Sequence, residues 1–232
     1  MVPRPLADPP ANRDAVVRPA VLLAALLLAA SAADALDVDL DVYRAARRSG
    51  AIGAVAGGAL AEPRTPRGAA LPLTGTTVAL LPRSEAVLIR LEQLKERSRD
   101  SATAFTTAVP AIQTTRERYE RALWEAGAPD LTTMVLVDAA GGFRFDEVPA
   151  GAWLVIAWHS VATDVGGGGE PKVKPRERGT FRPQPRMRGF QSVTIWLRPL
   201  KVTAGTTTSV ELTDRNGWFR GVIEERVLDR VR

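Results

Sequence analysis

Few side chains in this sequence of 232 residues could do chemistry, and their counts exclude whole classes of site. There is no cysteine, which excludes disulfides, thiolate metal ligands and a thiol nucleophile. The one histidine is His159, so a site that needs two imidazoles cannot form within one chain. A catalytic base needs an oriented partner, and none can be assigned to His159 from the sequence. We therefore predict that His159 is a packed or hydrogen-bonded residue at the end of a strand.

Carboxylates are the other candidates for chemistry. Asp138 and the pair Asp146 and Glu147 carry oxygen ligands of the kind that calcium prefers. The spacing D-x-D-x-D-G of a calcium loop is absent around them. A turn explains Asp138 more simply, because an aspartate side chain can bond to its own backbone two residues on. We expect no metal site and no other cofactor.

Aromatic side chains raise the question of carbohydrate binding, because an indole ring can stack on a sugar. Four tryptophans enter this test: Trp153, Trp158, Trp196 and Trp218. Trp153 and Trp158 lie on opposite faces of one predicted strand, since side chains alternate with a period of two. Trp196 shares a strand face with Thr194 and Arg198, which predicts that it lies on the wetter face of its strand. Core packing is the competing interpretation for all four.

The N-terminal residues 1–35 have the features of an export signal. Arg4, Arg13 and Arg18 precede an uncharged apolar stretch, residues 19–33, and two small-x-small cleavage patterns end at Ala32 and Ala35. The stretch is shorter than the roughly 20 residues that a membrane-spanning helix needs. We predict a cleaved signal and an exported protein, periplasmic or extracellular. The alternative is an uncleaved anchor, which would hold the chain at the membrane facing outward.

Positive charge is concentrated in residues 172–188. This segment contains seven basic residues and one acidic residue, Glu177, which gives a local charge of +6. Such a segment can bind an acidic envelope polymer or anionic lipid heads, and the alternative is a solvated mobile loop. An exported protein has little reason to meet nucleic acid, so we expect no such partner. The candidate contact residues are Lys172, Lys174, Arg176, Arg178, Arg182, Arg186 and Arg188, together with Trp196.

The elements that must position these side chains are clearest in residues 131–160. This stretch reads as strand, turn, short strand, turn and long strand, with turns at residues 138–141 and 148–151. Residues 153–158 form an apolar run of aromatic and β-branched side chains, as in a strand.

A motif in this stretch resembles that of a known family. The pattern D-x-x-x-G-F-x-F-x-x-V-P-x-G-x-W runs from Asp138 to Trp153. It resembles the carboxypeptidase regulatory-like domain, a transthyretin-like β-sandwich. Gly75, Val78 and Leu80 fit the second strand of that family. The resemblance implies a mainly β fold, an antiparallel sandwich of about seven strands, and a non-catalytic role in folding or docking.

Enzymes with a transthyretin-like fold need residues that this sequence lacks. Intradiol dioxygenases hold iron with two tyrosines and two histidines, whereas here Tyr43 and Tyr119 both lie outside the predicted strands. Hydroxyisourate hydrolases need several histidines and a C-terminal Tyr-Arg-Gly-Ser, but this sequence ends in DRVR. Zinc carboxypeptidases need a histidine–glutamate motif and a larger domain. We predict that the chain is not an enzyme.

The sandwich is interrupted by a stretch of different character, residues 84–127. Ser84 can cap a helix with Glu85 in its first turn, and apolar residues follow at helical spacing. Pro110 predicts an interruption before a second helix over residues 111–126. We therefore predict an inserted α-helical hairpin, which either packs on the sheet as a flap or projects as a partner-binding arm.

The remaining segments complete the predicted organisation. Residues 51–83 and 128–214 form the sandwich, although residues 50–58 are Gly/Ala-rich and weak as a strand. Residues 36–50 are a lead-in that is either an edge strand or mobile, residues 163–189 are a flexible basic loop, and residues 215–232 are a charged tail with a helical turn or two. We predict a structural or protein-interaction module of the cell envelope. The alternative is a module that binds carbohydrate or an anionic envelope polymer.

Overall fold

A computed structural model of the chain describes residues 36–63, 65, 67–164 and 186–227, with the side chains of residues 163–164, 186–188 and 225–227 left aside. The predictions for residues 1–35 and for residues 165–185 of the basic loop lie outside this range. Within it, no helix is both long enough and apolar enough to cross a membrane.

The described part of the chain is mainly β and confirms the predicted fold class, a β-sandwich with a helical insert. The helices are α1 (Leu40–Arg48), α2 (Glu85–Arg97) and α3 (Ala102–Glu125), followed by a 3-10 turn (Pro129–Leu131). Nine strands are described rather than about seven: β1 (Ile52–Ala61), β2 (Leu71–Pro72), β3 (Thr77–Pro82), β4 (Thr133–Leu136), β5 (Gly142–Pro149), β6 (Gly151–Asp164), β7 (Arg186–Val202), β8 (Thr207–Thr213) and β9 (Phe219–Val227).

The strands form two sheets. The large sheet has the order β4-β3-β6-β7-β9 and is antiparallel throughout. The small sheet is built around β1, which pairs antiparallel with β2 and β5 and parallel with β8. The β1–β8 pair is thus an exception to the antiparallel arrangement that we predicted.

The large sheet is buried on both faces. Trp153 and Val155 point into the sandwich core between the two sheets, whereas Leu154 and Ile156 point to the opposite face and pack against the helices. All four are at most 2% exposed. A strand that is covered on both faces has apolar residues at consecutive positions, which explains the sequence of β6.

The helical insert lies on the large sheet as a flap and does not project. α2 begins at Glu85, as predicted, and the Ser84 hydroxyl accepts the backbone N–H of Val87 at 3.0 Å. The predicted break at Pro110 is wrong, because α3 runs through it from Ala102 to Glu125. Val109 and Ile112 on either side are fully buried against the sheet, and we attribute the tolerance of Pro110 to this packing.

The lead-in forms a helix, so the prediction of an edge strand or mobile segment is wrong. Asp39 caps α1, with its carboxylate accepting the N–H of Asp41 at 3.0 Å. In the sequence, Asp37, Asp39 and Asp41 alternate with apolar residues, a pattern that suggests a strand and conceals this cap. Tyr43 of α1 is buried, its ring edge-on to that of Trp153 at 5.1 Å, and its hydroxyl donates to the carbonyl of Ala152. α1 therefore contributes to the sandwich core.

The Gly/Ala-rich stretch is the central strand of the small sheet, not a weak one. A Cβ on Gly57 would lie 2.0 Å from the carbonyl oxygen of Val210 and 2.6 Å from Cζ of Phe143. A Cβ on Gly53 would lie 2.5 Å from the carbonyl oxygen of Thr203. The small residues of β1 are required because neighbouring backbone and rings approach so closely.

The predicted C-terminal tail is wrong as well, because Phe219–Val227 forms β9 and pairs with β7. Phe219 is buried against the helices, and Ile223 packs on the same cluster. The charged residues of this segment concealed its alternating strand pattern in the sequence. The predicted loop 163–189 is wrong at its two ends, since β6 continues to Asp164 and β7 begins at Arg186.

The close contacts around β1 predict that one added methyl group destabilises the protein at Gly57 but not at Gly58. Gly57→Ala should lower the free energy of unfolding by about 2–3 kcal/mol through overpacking. The matched control is Gly58→Ala, because a Cβ there would meet nothing closer than 3.7 Å. This control should change stability by no more than about 0.5 kcal/mol. Chemical denaturation of the two variants measures both values, and equal effects would contradict the proposed packing.

Candidate binding surface

The described structure includes three of the eight predicted contact residues, and among these it gives the side chain of Trp196 alone. Lys172, Lys174, Arg176, Arg178 and Arg182 lie outside the described residues. Arg186 and Arg188 are in β7, where only their backbone is described. The prediction that Trp196 lies on a wet face is wrong.

Trp196 is fully buried in the sandwich core, and its indole N–H donates to the carbonyl of Thr213 at 2.8 Å. Its neighbours Ile195 and Leu197 face the helices and are buried too. Alternation with polar residues therefore did not indicate exposure, because this part of β7 is covered on both faces.

Three other tryptophans serve packing. Trp153 and Trp158 lie on opposite faces of β6, as predicted: Trp153 in the sandwich core and Trp158 towards the helices. Trp158 is half-buried under the guanidinium of Arg116, whose Cζ lies 4.4 Å from the ring centroid. The indole N–H of Trp218 donates to the carboxylate of Glu92 on α2 at 2.5 Å.

His159 is hydrogen-bonded within the fold, as predicted, although β6 continues past it. Its Nδ1 lies 3.0 Å from the hydroxyl oxygen of Thr76. That hydroxyl donates to the carbonyl of Leu73 at 2.6 Å, so it must accept from an Nδ1–H of the imidazole. Burial lowers the pKa of His159 from its ordinary value. The neutral ring is therefore the form that fits this position.

The carboxylates considered for calcium make local contacts. Asp138 Oδ1 accepts the backbone N–H groups of Ala140 at 2.9 Å and Gly142 at 2.7 Å, which confirms its role in a turn. Asp146 forms an ion pair with Arg144 at 2.7 Å. Among the residues that the structure describes, no group of three or more acidic or histidine side chains could hold a metal ion.

A groove of about 390 Å³ lies where the C-terminal end of α3 meets the edge strand β4. We call it the Trp124 groove; its lining residues are Glu117, Glu120, Arg121, Trp124, Thr132, Thr133 and Met134. Trp124 is 64% exposed, whereas the other four tryptophans are buried or half-buried. It was not among the tryptophans that we considered from the sequence.

The chain reversal after α3 holds Trp124 in place. Gly127 adopts a positive φ of 70° at the helix end, a conformation that glycine allows. The 3-10 turn then brings Thr132 back to the helix. The indole N–H of Trp124 donates to the Thr132 hydroxyl at 2.8 Å, and that hydroxyl donates to the carbonyl of Pro129 at 2.7 Å. The ring is thereby oriented while most of its surface stays open to solvent.

Glu120, one of the lining residues, is paired with a buried arginine. Arg116 is only 7% exposed, and its Nη1 donates to Oε1 of Glu120 at 2.6 Å. Its Nη2 also contacts Oε1 of Glu117 at 3.4 Å, while its Nε has no hydrogen-bond partner in the described structure. Burial raises the pKa of Glu120, and the charge of Arg116 opposes this effect.

Exposed apolar side chains continue from the groove along β4. Met134 is 48% exposed and Leu136 is 66% exposed. β4 is the edge strand of the large sheet and pairs with β3. An open indole face, a fixed carboxylate and an apolar edge strand can together recognise a ligand without covalent chemistry.

The sequence did contain a signal for Trp124. Ile112, Tyr119 and Leu123 recur at helical spacing and form the buried stripe of α3. The residue after Leu123 is rotated by about 100° around the helix axis, away from that stripe. Trp124 therefore lies off the buried stripe, and this position was the available signal for an exposed ring.

Comparisons with known proteins assign no family. No family model matches the chain, and no curated protein matches it. A structural match is a crystal structure from Pseudomonas aeruginosa of a protein proposed to bind carbohydrate. It is 14% identical, covers 76% of this chain and 97% of its own, and has a TM-score of 0.38. A similarity of that degree assigns neither fold nor ligand to this chain.

The lowered pKa of His159 predicts how stability depends on pH. The unfolded chain takes up a proton at the ordinary pKa of 6.5, before the folded chain does. Stability should therefore be full above pH 6.5 and fall as the pH drops from there to the lower folded pKa. His159→Asn should flatten this part of the profile. Thermal unfolding of both proteins between about pH 8 and pH 5 is the measurement, and parallel profiles would contradict the assignment.

Proposed function

We propose that this chain is a non-enzymatic binding module of the cell envelope, and that it binds carbohydrate in the Trp124 groove. The observation that carries the proposal is the indole ring of Trp124, which is 64% exposed yet held by its hydrogen bond to Thr132. The ring lies in the same groove as the exposed side chain of Met134, and contiguous exposed apolar surface, unlike a single exposed side chain, marks interaction sites.

The chemistry of the groove suits a sugar. A pyranose ring has an apolar C–H face, which can stack on the indole, and hydroxyl groups around its edge. Glu117, Glu120 and Arg121 line the same groove and can bond to those hydroxyls. Because the ring of Trp124 is already oriented, binding costs little side-chain entropy. The groove is open, so we expect modest affinity and a polymeric ligand that runs across the surface.

Two features of the sequence support an envelope location and a role without catalysis. Residues 1–35 have the pattern of an export signal. The motif of residues 138–153 resembles the carboxypeptidase regulatory-like domain, which implies docking rather than catalysis. Export, and attachment to the membrane if the signal is retained, are parts of the same proposal.

A protein-interaction module is the second candidate, favoured by the free edge of β4. Val137 exchanges backbone hydrogen bonds with Gly75 and Thr76 on the β3 side. Because backbone direction alternates along a strand, the N–H and C=O groups of Met134 and Leu136 point to the open edge. An extended segment of a partner protein could add to β4 there and cover both apolar side chains.

Replacing Trp124 tests the carbohydrate proposal. Trp124→Ala should weaken binding to envelope polysaccharide at least about tenfold, because the stacking surface is lost. Thr132→Val, which keeps the ring and removes its anchor, should have a smaller effect of the same sign. Calorimetric titration of purified polysaccharide and peptidoglycan fragments into the protein measures both.

The matched control is Ile89→Ala, which truncates a side chain that is 58% exposed on α2 and does not line the groove. This variant should bind as the parent does. If Trp124→Ala also keeps full affinity, the groove is not the binding surface. If Leu136→Ser abolishes capture of an envelope protein and no saccharide binds, the protein-interaction function is the correct one.

The export part of the proposal has its own measurement. The protein recovered from the envelope or medium should begin after Ala32 or after Ala35, at one of the two small-x-small patterns. N-terminal sequencing together with the intact mass identifies the cleavage site. A protein that keeps residues 1–35 and sediments with membranes would instead support the anchor. A full-length protein found only in the cytoplasm would contradict export.

A further inference from the structure

The charges at the Trp124 groove cancel. The carboxylates of Glu117 and Glu120 are matched by the guanidinium groups of Arg116 and Arg121. Nothing in this balance attracts a polyanion, in contrast to the basic segment of residues 172–188. A negatively charged ligand would therefore gain no net electrostatic attraction here and would still lose part of its hydration on binding.

We infer that the ligand of the groove is a neutral sugar, and that Glu120 is the residue that selects it. This inference rests on the proposed carbohydrate-binding function and names the class of carbohydrate. A neutral pyranose offers hydroxyl donors to Glu120, whereas a uronic acid brings a carboxylate that has no proton to donate and meets no excess of positive charge. The sequence had pointed to anionic polymers, through the basic segment.

Glu120 is the best-placed acceptor in the groove. Its side chain is 21% exposed, and Oε1 is held by Arg116 at 2.6 Å. Within the described structure, Oε2 has no hydrogen-bond partner, so it can accept a hydroxyl group of the sugar. Hydrogen bonds to an ionised acceptor are stronger than those between neutral groups, especially when the acceptor is partly buried.

Glu117 provides a contrast within the same groove. Its side chain is 60% exposed, and its contact with Arg116 is longer, at 3.4 Å. An exposed carboxylate of this kind is screened by solvent and salt and must be ordered when a ligand binds. We therefore expect Glu120, not Glu117, to determine affinity for the sugar.

Arg116 acts through Glu120 and is a positioning residue. Its guanidinium lies between the Trp158 ring, 4.4 Å away, and the carboxylate of Glu120. The cation–π contact and the ion pair together set the direction of that carboxylate. Arg116 thus connects Glu120 directly to the large sheet.

The test uses the exported chain and two sets of sugar tetramers, one of neutral hexose or N-acetylhexosamine units and one of uronic acid units. Calorimetric titrations are run at about 0.02 M and about 0.5 M salt, which span weak and strong screening. We expect the best neutral tetramer to bind at least about tenfold more tightly than any uronic tetramer, with less than a twofold change between salts. Tighter binding of a uronic tetramer that is lost at high salt would overturn the inference.

Two glutamate variants test which residue determines the affinity for the neutral sugar. Glu120→Gln should weaken binding of the neutral tetramer about tenfold, the size of one lost charge-assisted hydrogen bond. Glu117→Gln should change it less than twofold. Circular dichroism and thermal unfolding identify any misfolded variant, and the salt comparison on the parent protein stands without either variant. If equal losses follow in both variants, Glu120 is not the selective residue. If no sugar of either set binds, the carbohydrate function itself fails and this inference with it.

Discussion

The large sheet has to be covered on both faces, and the rest of the described structure depends on that constraint. From Trp153 to Ala157, every side chain of β6 is at most 2% exposed, although successive residues point to opposite sides. One side is closed by the small sheet and α1, the other by α2 and α3. The helical insert therefore closes one of the two hydrophobic clusters of the described structure, and removing it would expose an apolar face of the large sheet to water.

The position of the candidate site is determined by where α3, which covers the large sheet, ends. α3 crosses the large sheet and stops at Glu125, so that its last turn lies beside the edge strand β4. Buried residues of the helix end at Leu123, and the next side chain is the exposed indole of Trp124. Arg116, seven residues before Leu123, fixes the helix to Trp158. Burial on one side of α3 thus determines both the position and the rigidity of the groove on the other.

Much of the fold could be predicted from local pattern, and the failures share a physical cause. Ser84 as a helix cap, Asp138 as a turn and the strands of residues 131–160 are properties of short segments, and they were correct. Pro110 and the Gly/Ala-rich β1 were misjudged, because tertiary packing outweighs local propensity at both. For Trp196 the alternation was present, but which faces are covered depends on the whole sandwich. The groove combines α3, the 3-10 turn and β4, and no single segment reveals it.

The parallel pairing of β1 with β8 has a consequence for how the chain folds. Ala54 and Thr207 are partners in that ladder, so roughly 150 residues separate two neighbouring strands of the same sheet. Contacts between such distant residues close large loops and form slowly. The large sheet, in contrast, gains the β6–β7 and β7–β9 ladders from the C-terminal third of the chain. An incomplete small sheet leaves the glycine-rich β1 without one of its neighbours, and its last ladder can form only after β8 has emerged from the ribosome.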